Sequence, residues 1–298
     1  MLDWNTPKLS DKEWIEKCVK ESQYIGSDAA FANIYLLRSK YNIKVTYYKD
    51  LLIRYYEGLG NRKGYTFPLG RKDVLSALYA IEQDAKEMNR PLEFCFVTEE
   101  QKEILENTFA GRTESSSDAG DYDYIYGQPE LSLLRGRTYH KKKNHVSKFK
   151  RTYEDYMFCE IGNGNLDDVM LIEDEWYYDR LQQDDTSAMK EYEAIREAVD
   201  NFEELSLSGG IIYANNVPVA MTIASYINDA AVDIHFEKAV GEYAVNGGFA
   251  AINQMYASTL KDVKFINREE DINIPGLRKA KESYHPKFML KKYGVRVK

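Results

Sequence analysis

Three side chains that can move protons stand at alternating positions in one short apolar run. They are Asp233, His235 and Glu237, interleaved with Val232, Ile234 and Phe236. Successive side chains of a strand point to opposite faces, so parity predicts that the three share one face of a sheet. Imidazole titrates near neutrality, and a carboxylate with a raised pKa can take a proton from an attacking amine. Glu237, His235 and Asp233 are therefore the candidate catalytic groups, suited to taking a proton from an attacking amine. The same residues also suit a structural hydrogen-bond pair that braces the next loop. Further on, Asn246, Gly247 and Gly248 lead into a helical run. A helix N-terminus offers unpaired N–H groups to an anion, and glycine allows close approach. These three are the candidate cofactor-binding residues, although a tight turn into the helix would use the same glycines. Asn267-Arg268-Glu269-Glu270-Asp271 ends a following strand. Arg268 can pair with an anionic substrate or with Glu269, and the acids can hold an amine. Their clustering does not form a divalent-metal motif, and no metal is expected.

The elements that must position these groups follow from hydrophobic period and turn chemistry. Leu9 to Glu13 offers a cap before a helix with Trp14, Ile15 and Val19. A second helix begins near Ser27. Strands are predicted at 43–48, 51–56 and 65–68, a helix at 74–85, a strand at 92–97 and a helix from Thr98 to about Phe109. Gly111 to Gly120 reads as a loop, and Tyr122 to Tyr126 as the last strand of the first half. Tyr139 to Tyr153 reads as a helix with Val146, Phe149 and Tyr153 inward. The second half repeats the order without a visible sequence repeat. A strand at 157–161 precedes helices at 166–178 and 188–201, the latter opened by Asp185-Thr186-Ser187. Strands at 209–214 and 217–226 flank Asn215-Asn216, a strong hairpin signal. A third strand at 231–236, a helix at 247–260, a strand at 263–267 and a helix at 275–283 follow. Phe288 to Val297 is expected to close that half. The reading is an α/β (α+β) protein of two tandem domains, 1–135 and 136–298, each a mixed sheet flanked by helices, with the active cleft in the second.

The chain carries a formal net charge of -8, yet Arg135 to Arg151 contains no acid. A concentrated basic segment in an acidic protein is a local electrostatic device. A second basic segment runs from Arg278 to Lys298, with Glu282 its one acid. If the two pack together, they make one patch for a phosphate-bearing donor. The acidic total argues against unspecific nucleic-acid binding. No run approaches eighteen apolar residues, and the N-terminus lacks a secretory pattern, so a cytoplasmic protein is expected. Cys18, Cys95 and Cys159 suggest neither a disulfide framework nor a zinc site.

The basic stretch also carries a pattern, Leu134, Gly136, Arg137, Tyr139, Lys142 or Lys143, Asn144 and Phe149. A second pattern comprises Asn267 to Asp271, Pro275 to Lys281 and Tyr284-His285-Pro286. Together they resemble the soluble family related to the C-terminal domain of phosphatidylglycerol lysyltransferase, whose members are similar to tandem GNAT-like acyltransferase domains. The resemblance covers nearly the whole chain. It implies an acyl- or aminoacyltransferase that uses acyl-coenzyme A or aminoacyl-tRNA as donor substrate, with no tightly bound cofactor. It also implies tRNA as a partner and a phospholipid head group as one acceptor, reached by peripheral membrane contact. The alternative is a ligand-binding or structural protein that keeps the fold without the chemistry. The resemblance lifts Arg137, Lys142, Lys143, Asn144, Asn267, Arg268, Asp271 and Arg278 to candidate substrate-binding residues. Ser27, Asp28 and Asn33 resemble a recurrent family pattern whose job is read as local, capping the helix and fixing it against the sheet. The usual glutamine or arginine with spaced glycines before Gly247 is absent, which weakens the case for coenzyme A.

Overall fold

The computed structural model describes residues 2–181 and 188–298. The predicted cap at Asp185 to Ser187 lies outside the described residues. The first part runs α1 (Lys12–Ser22), α2 (Phe31–Leu36), β1 (Lys44–Tyr48), β2 (Leu51–Glu57), β3 (Lys63–Thr66), α3 (Leu75–Glu87), β4 (Leu92–Val97), α4 (Glu99–Thr108), β5 (Thr113–Ser117), β6 (Asp123–Gly127) and α5 (Gln128–Leu133). The basic stretch forms α6 (His140–Thr152). The rest runs β7 (Met157–Glu160), α7 (Leu166–Leu181), α8 (Ala188–Asp200), β8 (Ser208–Ala214), β9 (Val217–Asn228), β10 (Ala231–Ala239), α9 (Gly241–Val245), α10 (Gly248–Thr259), β11 (Phe265–Asn267), α11 (Pro275–Glu282), β12 (Phe288–Leu290) and β13 (Tyr293–Val297).

Local signals set many of these boundaries. Thr98 and Gln101 form a reciprocal capping box at the start of α4, which satisfies two helix-end N–H groups. Asn215 and Asn216 both take the left-handed conformation between β8 and β9, as a two-residue hairpin requires. The strands make two mixed sheets, each flanked by helices: β1-β2-β3-β4-β13-β5 and β12-β6-β11-β10-β9-β8-β7. This is the tandem α/β, GNAT-like architecture.

Three elements differ from the sequence reading. The stretch read as a loop contains β5, an exposed polar strand paired along β13. Its sequence has no hydrophobic alternation, and its partner lies at the far end of the chain. The strand assigned to the first half, β6, pairs instead with β11 and β12 in the second sheet. The closing segment splits: β12 stays in the second sheet, while β13 enters the first between β4 and β5. Each sheet thus holds a strand from the other side of residue 135. One apolar cluster joins the halves, with Ile15, Phe31 and Leu52 packed alongside Ile172, Ile195 and Met221. Among the described residues, no helix is long and apolar enough to cross a membrane.

Candidate functional site

Strand β10 organises both polar centres of the molecule. It pairs in parallel with β11 from Ala231 to Asp233, and that pairing ends at Asp233 opposite Asn267. Beyond that point β11 ends while β10 runs on to Ala239, and the stretch bounded by β10, Arg268 and α10 forms a wedge. Against β9, the register of β10 shifts between Ile234 and Phe236. This bulge inserts one residue and flips the alternation that follows. Asp233 and His235 therefore face α2, while Glu237 faces α10. The expectation that all three share a face is corrected by this one inserted residue.

Glu237 lies in the wedge. Its Oε1 accepts from Arg268 Nη2 at 2.7 Å, and its Oε2 accepts from Asn253 Nδ2 of α10 at 3.0 Å. The Arg268 guanidinium lies 4.7 Å from the ring centre of Tyr284 and 5.8 Å from that of Tyr126. Over the same Tyr284 ring, at 3.7 Å, sits the ammonium of Lys142 from α6. Burial, with the neighbouring charge of Arg268, pushes the Lys142 ammonium down to about 8, against the opposing pull of Glu237. Two buried atoms here have no hydrogen-bond partner: Arg268 Nη1 and Asn253 Oδ1. A buried polar group left unpaired costs roughly 1–3 kcal/mol. A free donor and a free acceptor, both anchored on Glu237, make a pair of hands for a polar ligand.

The other centre is a buried seam. Asn33 Nδ2 lies 2.9 Å from both Asp233 Oδ2 and Glu269 Oε1 and 3.0 Å from the Ser27 carbonyl oxygen, so its two N–H bonds are shared among three acceptors. His235 contacts Asn33 Oδ1 through Nδ1 at 3.1 Å and Ser225 Oγ through Nε2 at 2.7 Å. Behind them, Lys292 lies 2.7 Å from Asp123 and 3.1 Å from Asp28, and Arg54 lies 2.9 Å from Asp28. Asn267 donates to Asp123 at 2.8 Å. Burial would raise the Asp28 carboxyl, but Lys292 and Arg54 hold it below the usual range. Burial, then the charges of Glu269 and Asp123, drive Asp233 well above its usual value. Ser27, Asp28 and Asn33 thus fix α2 and its approach, and they do so against both sheets.

The remaining expected site residues scatter. Gly247 does allow a close approach, but to protein: a Cβ there would lie 2.4 Å from the His145 carbonyl oxygen. Asn246 donates to the hydroxyl of Tyr153, just past the end of α6, at 2.8 Å. So α6 packs on the N-terminal end of α10, and Asn246, Gly247 and Gly248 form a packing joint between them. Asp271 is held by Arg278 at 2.8 Å and by the Tyr124 hydroxyl at 2.7 Å, and Glu270 pairs with Arg62. Arg137, Lys143 and Asn144 are exposed, apart from the wedge. The two basic segments do meet, at Lys142 over Tyr284 and at Tyr139 against His285. Lys281 and Lys292, however, are buried rather than part of a surface patch. Asn253 lies in the middle of α10 and Tyr284 just past α11, so their meeting with Arg268 and Glu237 depends on packing. A groove of about 530 Å³ opens past the ends of β3 and β4, lined by Phe67, Leu69, Val74, Thr98 and Ile104 and by Met289 and Leu290 of β12.

The family described as "Phosphatidylglycerol lysyltransferase, C-terminal" matches residues 20–296. A conserved protein of unknown function from Bacteroides thetaiotaomicron is 30% identical over 100% of both chains, with a TM-score of 0.94. L-PGS from Bacillus licheniformis superposes with a TM-score of 0.66 at 14% identity, over 96% of this chain and 92% of that one. The second likeness is one of fold. No curated protein matches the chain.

Proposed function

We propose that this chain, which belongs to the phosphatidylglycerol lysyltransferase C-terminal family, transfers an acyl or aminoacyl group to an amine or hydroxyl in the Glu237 wedge. The observation that carries the reading is the pair of unpartnered buried atoms, Arg268 Nη1 and Asn253 Oδ1, fixed on either oxygen of Glu237. Acyl transfer builds negative charge on a carbonyl oxygen, and preorganised donors at that point lower the barrier. Arg268 Nη1 and the Lys142 ammonium are the donors of the right charge. Asn253 Oδ1 accepts a hydrogen bond from the acceptor group, while the Glu237 carboxylate receives its proton and passes it to the departing oxygen or sulfur of the donor.

The His145 carbonyl against Gly247 argues for a donor whose phosphates do not rest on the N-terminus of α10. That favours an aminoacyl-tRNA ester over acyl-coenzyme A. A phospholipid head-group hydroxyl is the acceptor suggested by the family, and the exposed lysines of α6 suit a phosphate-bearing donor.

Transfer of a labelled group from each donor to amine, hydroxyl and phosphatidylglycerol acceptors tests this. Removing one donor to a developing oxyanion typically costs about 10²–10³ in rate. Lys142→Met should fall by that order, while Lys143→Met stays near wild type in the chemical step. If wild-type protein binds a donor and transfers nothing to any acceptor, the non-catalytic ligand-binding reading replaces this one.

A further inference from the structure

The seam between the sheets holds more hydrogen-bond acceptors than hydrogens to satisfy them. The Asn33 amide has two N–H bonds, but three oxygens crowd its nitrogen at 2.9–3.0 Å: the Ser27 carbonyl, Asp233 Oδ2 and Glu269 Oε1. The other oxygen of Asp233 is buried with no partner at all. Nearby cations do not fill the deficit, because Lys292 is committed to Asp123 and Asp28, and Arg54 to Asp28. Buried carboxylates that lack donors are neutralised by a proton or by a bound cation that displaces it.

We propose that Asp233, His235 and Glu269 form a binding site for one divalent transition-metal ion, zinc or manganese. One donor atom from each of Asp233, His235 and Glu269 lies within 4.8 Å of the others. His235 Nδ1 is 3.5 Å from Asp233 Oδ2 and 3.8 Å from Glu269 Oε1. Those edges fit atoms held about 2.1 Å from a common centre, the usual length for zinc with imidazole nitrogen or carboxylate oxygen.

The surroundings suit a ligating histidine. Nε2 lies 2.7 Å from Ser225 Oγ. An Nε2–H donated there leaves the Nδ1 lone pair facing the carboxylates, the outer-shell arrangement that fixes a ligand's tautomer. Two carboxylates and one divalent ion are charge-neutral. Glu269, with 27% of its side chain exposed, supplies the route from solvent. The imidazole favours zinc, and the oxygen-rich remainder also accepts manganese. No covalent chemistry is assigned to the ion. The site lies across β10 from Glu237, and the proposal stands whether or not the wedge is catalytic.

The test is titration of chelator-treated full-length protein with Zn²⁺ alone and Mn²⁺ alone, read by calorimetry and native mass spectrometry. One ion per chain should bind saturably, and the melting temperature should climb with the logarithm of metal concentration. His235→Gln and Glu269→Gln should each weaken binding at least about tenfold, the usual minimum for loss of a supporting group at a metal site. Should His235→Gln fail to fold, Glu269→Gln carries the comparison, since its side chain is partly exposed. Absence of saturable binding for both ions up to millimolar concentration overturns the proposal. So does binding that is undiminished in Glu269→Gln.

Discussion

Lys142 combines two demands that usually conflict, a charge and a half-buried place. Burial and Arg268 lower its pKa to about 8, so the ammonium persists below that pH and is lost above it. If it stabilises the transition state, the transfer rate should decline as pH rises through about 8. Lys142→Met should be slow and lack that limb; an unaltered limb in the variant assigns it to another group. Glu173 is a second residue with pH-dependent consequences. It is fully buried, neither oxygen has a hydrogen-bond partner, and Lys238 stands 3.9 Å away. Burial raises its carboxyl to about 7 from 4.5, with Lys238 opposing. The folded state thus holds a proton that the unfolded chain releases. Its stabilising share is complete below about pH 4.5 and is lost as pH rises through about 7. Urea melts at pH 5 and pH 8 should show a larger loss for wild type than for Glu173→Gln. Equal losses would mean that Glu173 does not titrate in this range.

At the scale of elements, the joint between α6 and α10 decides where Lys142 sits. Gly247 has φ of 103° and meets the His145 carbonyl. Alanine there must adopt a strained backbone and also push against α6. A cost of about 1–3 kcal/mol follows from the strain of such a conformation. Gly247→Ala should therefore lower the midpoint of chemical unfolding and, by displacing α6, reduce transfer. A variant with unchanged stability and weakened donor binding would instead make Gly247 a ligand cradle. The bulge at His235 has equal weight. It lets one strand present Asp233 and His235 to the seam and Glu237 to the wedge, so two centres are served without a second strand.

At the scale of the whole molecule, the exchange of β6 and β13 ties the halves together. Strand β13 lies between β4 and β5, and just ahead of it Lys292 is buried between Asp28 and Asp123. Removing one partner of a buried ion pair typically costs about 3–5 kcal/mol. Lys292→Met should be destabilised by that order in urea melts, because two carboxylates are left facing each other. A loss under about 1 kcal/mol would show that solvent reaches them. Truncation after Lys292 removes β13 and strands β5 without a partner. With the core cluster shared by both sheets, the truncated chain should lose its single cooperative transition. Retention of wild-type cooperativity would mean that the two sheets fold independently.

The sequence by itself determined the local elements, because their causes are local. Thr98 and Gln101 make their own cap, Asn215 and Asn216 make their own turn, and the apolar period of 74–85 shows in α3 without reference to anything distant. It also showed the family, through the residues from Leu134 to Phe149 and from Asn267 to Pro286, and it placed Glu237, Arg268 and Lys142 among the residues to watch. Tertiary structure alone decided which of them meet. Parity counting assumes an unbroken ladder, and the bulge at His235 depends on how β10 lies against β9. The polar strand β5 exists because β13 arrives beside it, from the other end of the chain. Asn33 and Glu269 come together with Asp233 and His235 only when α2 packs across the second sheet. Charge told the same story: Lys281 and Lys292 read as surface cations until folding supplied the oxygens that let them be buried.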